Sequence, residues 1–164
     1  MRFEVVPATL RTYRVPGRVL ERTAVFLRER GARGAEGVVL WLGEPISDES
    51  AEILGAYVPE QVAYVTERGV AVEVTRDGLT RLIASLPSGV FVLVRVHAHP
   101  EDAYHSELDD QNMLISHPGA ISIVVPYFAD GPLDLSRCSV NELVHGEGWR
   151  ELSPTEVAAR FLVV

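Results

Sequence analysis

The chain has 164 residues, 47% of them hydrophobic and 23% charged, with one cysteine and a formal net charge of −8. That length suits one compact domain with a sizeable core, and Cys138 alone supplies neither an internal disulfide framework nor a thiolate cluster for structural zinc. An acidic balance with scattered basic residues argues against a nucleic-acid partner. The longest apolar stretches, 37–43, 89–96 and 120–125, fall far short of the roughly 20 residues of a membrane helix. The N-terminus has no long apolar segment and no small-residue cleavage site, so the expected location is cytoplasmic, away from a membrane.

Residues 16–34, PGRVLERTAVFLRERGARG, carry Val19, Leu20, Val25 and Leu27 at near-helical spacing and turn basic before Gly31, which predicts an amphipathic helix. The continuous apolar run EGVVLWLG (36–43) predicts a strand buried on both faces. Further strands are expected at 53–59 and 70–74, followed by a second helix over 76–86 that opens after Asp77 or Gly78. GVFVLVRVHAH (89–99) is the strongest strand signal in the chain. A short helix is expected over 107–116, closed by His-Pro-Gly, then strands at 120–126, 138–145 and 149–152. YFADGPLDLS (127–136) reads as a flexible loop. A last helix should open at Ser153, where SPTE joins an N-cap serine, a proline at the first helical position and a glutamate at the third. With no alternating βαβ pattern and no glycine-rich phosphate loop, a nucleotide-binding Rossmann fold is not expected. The pattern is that of a mixed α/β domain, its helices flanking a sheet.

The chemistry concentrates in VRVHAHPEDAYHSELDDQ (94–111). Side chains alternate along a strand, so His97 and His99 leave on one side with Ala98 on the other, and two imidazoles on one side can share a cation. Pro100 ends the ladder, placing both at a strand exit. Ser106 is suited to cap the next helix, with Asp109 and Asp110 three and four residues on along the same side. Either acid could complete a His, His, Asp set, the number and type that hydrolytic zinc takes while keeping a fourth position open. The plainer alternative is a solvated histidine pair followed by a capping box. Amide hydrolysis at such a centre also needs a proton-carrying carboxylate. Glu36, at the entry of an apolar strand, is the candidate, although composition alone leaves it an ordinary strand-edge charge.

Together these residues resemble the JAMM, or MPN-type, zinc metalloprotease family: a glutamate ahead of an apolar strand ending in glycine (Glu36 to Gly43), then His-x-His-Pro (His97 to Pro100), then Ser-x-x-Asp (Ser106 to Asp109). The four elements agree in order, and the resemblance spans about residues 16 to 126 of a single 1–164 domain. It implies a mixed, largely antiparallel sheet flanked by helices in the cytidine-deaminase-like arrangement. It also implies that His97, His99 and Asp109 bind zinc, that Glu36 holds the attacking water and acts as general acid and base, and that Ser106 donates a hydrogen bond to the developing oxyanion. The implied substrate is the C-terminal tail of a ubiquitin-like or sulfur-carrier protein. Six residues (100–105) separate His99 from Ser106 where the family usually has seven, and His105 adds an imidazole read here as solvated. No long insertion of the kind that holds a ubiquitin chain is visible.

Two other functions suit the same residues: a non-catalytic MPN-type scaffold that docks a partner protein, and a zinc hydrolase of a small amide. A metallo-β-lactamase pattern fails, because Glu101 stands where that pattern has aspartate. His117, His145 and Trp41 read as a helix stop, a turn residue and core.

Overall fold

An eight-stranded mixed sheet organises the chain in the computed structural model, which describes residues 2–67, 69–104, 115 and 117–164. The elements run β1 (Thr12–Val15), α1 (Gly17–Gly31), β2 (Val38–Pro45), β3 (Ser50–Tyr57), β4 (Gln61–Thr66), β5 (Gly69–Val74), α2 (Arg76–Ser85), β6 (Phe91–Ala98), β7 (Ile121–Val125), β8 (Ser139–Val144), β9 (Gly148–Glu151), α3 (Pro154–Arg160) and β10 (Phe161–Val163). The sheet order is β10-β1-β3-β2-β6-β7-β8-β9, and β4 and β5 form a separate hairpin. β2 pairs antiparallel with β3 and β6, and β8 with β7 and β9, while β10–β1, β1–β3 and β6–β7 are parallel. This is the mixed, largely antiparallel sheet with flanking helices that the sequence led us to expect.

The helix α1 buries one stripe, Val19, Thr23, Ala24 and Leu27, in the core that holds Val39, Trp41, Val94, Val96 and Ile123, whereas Val25, expected on that stripe, is 45% exposed. A fully buried valine or leucine side chain contributes about 1.5–3 kcal/mol. The indole of Trp41 has its polar atom met there: its N–H donates to Thr23 Oγ1 at 2.9 Å, and the Thr23 hydroxyl donates in turn to Val19 O at 2.7 Å. On the other side of the sheet Val38 and Leu40 pack with Val72, Val74 and Leu82, so β5 and α2 cover the opposite face of β2. Gly43 ends the apolar run where the β2–β3 register shifts; a Cβ there would lie 2.6 Å from Glu52 O. No side chain fits that approach.

Several expectations change. β1, β4 and β10 were not legible as strands; β1 and β10 are short and defined by distant partners, each other and, for β1, β3, while β4 is the first strand of the hairpin that it forms with β5. The second helix opens earlier than Asp77, since the Thr75 side chain caps it by accepting from Gly78 N. α3 opens as expected, with the full capping box between Ser153 and Glu156. The helix expected over 107–116 lies outside the described residues apart from Ile115, which is buried. The segment 127–136 is not a featureless loop: Tyr127, Phe128 and Ala129 form a left-handed turn, and a 3-10 turn follows at Leu135–Arg137, where Asp134 accepts from Ser136 N. Left-handed backbone costs an L-residue roughly 1–2 kcal/mol, so the first of these turns is held against its own preference. Among the described residues no helix is long and apolar enough to cross a membrane.

Candidate active site

β6 places both histidines. His97 lies opposite Val38 of β2 and Val124 of β7, and the ladder continues one step beyond the strand, where His99 N donates to Val125 O at 2.9 Å. Alternation then puts the two rings on one side, as expected. Their Nε2 atoms are 3.1 Å apart, the ring planes cross at 63°, and the residues are only 2% and 5% exposed. Two imidazole nitrogens each 2.0–2.1 Å from a tetrahedral ion would stand roughly 3.3 Å apart. The convergence of His97 and His99 fits a shared metal. Tyr104 sets its ring edgewise to His99, centroids 4.7 Å apart.

Glu36 precedes β2 by two residues and is 7% exposed, a degree of burial that carboxylates reach only when their surroundings hold them. Arg30 of α1 donates through Nε and Nη2 to Glu36 O, both at 3.3 Å. Just past it, the Gln61 side chain brackets Val38, accepting from its N–H at 2.7 Å and donating to its carbonyl at 3.0 Å. That bracket docks the β4–β5 hairpin beside the entry of β2. Because Val38 is the register partner of His97, the buried glutamate and the histidine pair belong to the same end of the β2–β6 ladder.

Ser106 and Asp109 lie outside the described residues, as do Asp110 and His105. Among the described residues no group of three or more His, Cys, Asp or Glu side chains is placed to hold an ion. His117 is in a turn rather than the site, a ring nitrogen 3.3 Å from Val92 O. Trp41 is fully buried core and His145 is in the β8–β9 turn, both as read from the sequence.

Sequence reasoning missed a buried polar row on the face of the sheet that His97 occupies. Register runs Arg95↔Ser122↔Asn141↔Glu151 across β6, β7, β8 and β9, and beside it His97↔Val124↔Ser139. Directly opposed residues share a face. Arg95 Nη2 donates to Ser122 Oγ at 3.2 Å, Asn141 Nδ2 to Ser139 Oγ at 3.0 Å, and Ser139 Oγ to Glu151 Oε1 at 3.1 Å. Four of these residues, Arg95, Ser122, Ser139 and Asn141, are buried. The signal was present: Arg95, His97 and His99 alternate with Val94, Val96 and Ala98 in an otherwise apolar strand. Beyond Ser139 and Glu151 opens a pocket of about 470 Å³, also lined by Asp102, Tyr127 and Arg137. The Tyr127 hydroxyl donates to Asp102 Oδ1 at 2.7 Å, and that bond, with the nearby negative charge, pushes the phenol's pKa up. Burial, aided by Asp134, pushes the Cys138 thiol in the same wall up to about 12, so it is neutral near pH 7 and no nucleophile.

No family model matches the chain. It is 33% identical over 156 residues to a protein of Sinorhizobium fredii named as a probable metalloprotease, an alignment covering 94% of this chain and 95% of the relative. Among solved structures, a Desulfitobacterium hafniense protein determined in solution shares the fold, with a TM-score of 0.59, 16% identity and 93% of each chain covered. A JAB1/MPN domain protein from Archaeoglobus fulgidus aligns with a TM-score of 0.49 and 15% identity, over 93% of this chain and 98% of that one.

Proposed function

Because the chain belongs to the JAMM/MPN-type metalloprotease family, we propose that it is a zinc-dependent peptidase or isopeptidase that cuts the amide bond following the C-terminal tail of a ubiquitin-like or sulfur-carrier protein. The observation that carries this reading is the 3.1 Å approach of His97 Nε2 to His99 Nε2 in a buried strand exit, at the same ladder end as buried Glu36. In this reading His97, His99 and Asp109 hold the ion. When bound, zinc polarises the scissile carbonyl and makes water a nucleophile near neutral pH.

The remaining steps belong to side chains. Glu36 accepts a proton from the attacking water as its oxygen bonds to the carbonyl carbon. It then delivers that proton to the amine nitrogen as the C–N bond breaks, leaving a carboxylate on the tail and a free amine on the other product. Ser106 donates a hydrogen bond to the carbonyl oxygen as negative charge develops there. Burial of the histidine pair excludes bulk water, which strengthens each of these interactions. An extended tail pairing main chain to main chain with a sheet edge would select small residues at the cut.

Elemental analysis of untagged protein, beside His99→Ala and Glu36→Gln, tests the reading. About one zinc per chain is expected in the parent and in Glu36→Gln, and none in His99→Ala. With a tail-fused ubiquitin-like substrate, Glu36→Gln should cleave roughly 10²–10⁴-fold more slowly. A parent without metal after zinc is added back, or a zinc-loaded Glu36→Gln that cleaves at the parent rate, would overturn the assignment.

A further inference from the structure

The carbonyl of the second histidine is not left to the strand that carries it. Phe128 N donates to His99 O at 2.8 Å and Tyr127 N donates to Glu101 O at 2.9 Å, so two successive N–H groups of the left-handed turn grip the chain as it leaves β6. In that turn Tyr127, Phe128 and Ala129 hold φ of 52°, 50° and 59°, in the left-handed region. None of the three is glycine. A strained run of this kind persists only where its surroundings over-determine it.

The surroundings come from α1. Arg28 donates through Nε to Ala129 O at 3.3 Å and through Nη2 to Gly131 O at 2.7 Å, tying down the far side of the turn. Three residues later Gly31, the last residue of the helix, leaves the space that Phe128 fills: a Cβ at position 31 would lie 2.2 Å from Phe128 Cβ and 2.6 Å from its Cγ. Helical glycine is otherwise unfavourable relative to alanine. Its presence there suits the ring of Phe128 rather than the helix.

We propose that Arg28 and Gly31 are positioning residues for the active site: through the left-handed turn at 127–129 they fix the main chain of His99, and with it the distance between the two imidazoles. The inference rests on the metal-site reading above. The helix that packs the core would thereby also set the metal geometry, although neither residue touches the ion or the substrate.

Cobalt loading tests this, because the visible spectrum of the bound ion reports ligand geometry and chelator competition reports its affinity, both without any substrate. The variants are Arg28→Met, Arg28→Lys, Gly31→Ala and, as a control at the open end of the same helix, Gly17→Ala, where an added Cβ meets nothing within 4 Å. Arg28→Met and Gly31→Ala should bind cobalt about 10- to 100-fold more weakly, the range for partners that orient a ligand, with an altered visible band. Arg28→Lys should recover part of the affinity, and Gly17→Ala should match the parent. Parent-like affinity and spectrum in Arg28→Met and Gly31→Ala would overturn the inference while leaving the metal site standing. A parent that takes up no cobalt would overturn the metal reading and this inference with it.

Discussion

On the α1 side of β6 lie Val94, Val96 and Ala98; on the other side, one residue out of phase, lie Arg95 and His97, with His99 just past the strand end. All six are buried. The first three join the apolar cluster whose worth is set by area removed from water. Burying the second three costs free energy unless each polar atom finds a partner, and the row continues through Ser122, Asn141 and Ser139 rather than ending at the histidines. The α1 face is therefore apolar across these strands, whereas the other face joins a smaller apolar cluster of Val38, Leu40, Val72, Val74 and Leu82 to a polar row whose burial costs stability. Depth alone does not distinguish them; phase along the strand does.

Substitutions on either face should separate these roles. The largest effect belongs to His97→Ala, which should weaken zinc binding by more than about a hundredfold, the upper end of what partners around a ligand are worth, while the thermal midpoint of the metal-free protein changes little. A full zinc complement in that variant would dissolve the contrast. Ile123→Ala, on the apolar face and next in sequence to Ser122, should lose about 2–5 kcal/mol in denaturant unfolding with zinc stoichiometry unchanged. Thr23→Val probes a polar pair on that face, the Thr23 hydroxyl and the Trp41 N–H. It strands the buried N–H of Trp41 and should cost about 2 kcal/mol by the same measurement.

The smallest effect lies at the rim, where Arg160 Nη1 and Nη2 donate to the two oxygens of Glu142 at 3.0 and 3.1 Å. Burial pushes the Glu142 carboxyl up, but the hydrogen bonds and charges of Arg160 and Arg150 outweigh it and hold the group below the usual carboxylate range. A carboxyl lowered by folding contributes stability that is complete above its unfolded pKa and is lost as the pH falls through the folded value. Glu142→Gln should cost about 1 kcal/mol at pH 7 and flatten the stability profile below the ordinary glutamate pKa. An unchanged acid limb would show that the pair carries no such linkage.

What the sequence disclosed and what it hid follow from range. α1 and α3 were legible because their stripe and their capping box are local, and β2 and β6 because a run of valines and leucines admits little else. The histidine pair was legible from period two alone. β1 reads as TYRV and β10 as FLV, too short to signal themselves, and they exist through pairing with each other across the length of the chain. The left-handed turn was hidden for the opposite reason: Tyr127, Phe128 and Ala129 are residues that avoid that conformation, and the contacts that hold it come from His99, Glu101 and, some hundred positions upstream, Arg28 and Gly31. The buried row was missed because Ser122 and Asn141 fall in line with Arg95 only after three strands are aligned.

The two tryptophans divide the molecule for an optical experiment. Trp41 is wholly enclosed beneath α1 with its N–H on Thr23, whereas Trp149 is half-buried on β9, at the far edge of the sheet. An enclosed indole emits to the blue of one near water. In a Trp149→Phe background the remaining emission would follow the apolar face by itself, so fluorescence titrations could watch the core while zinc is added.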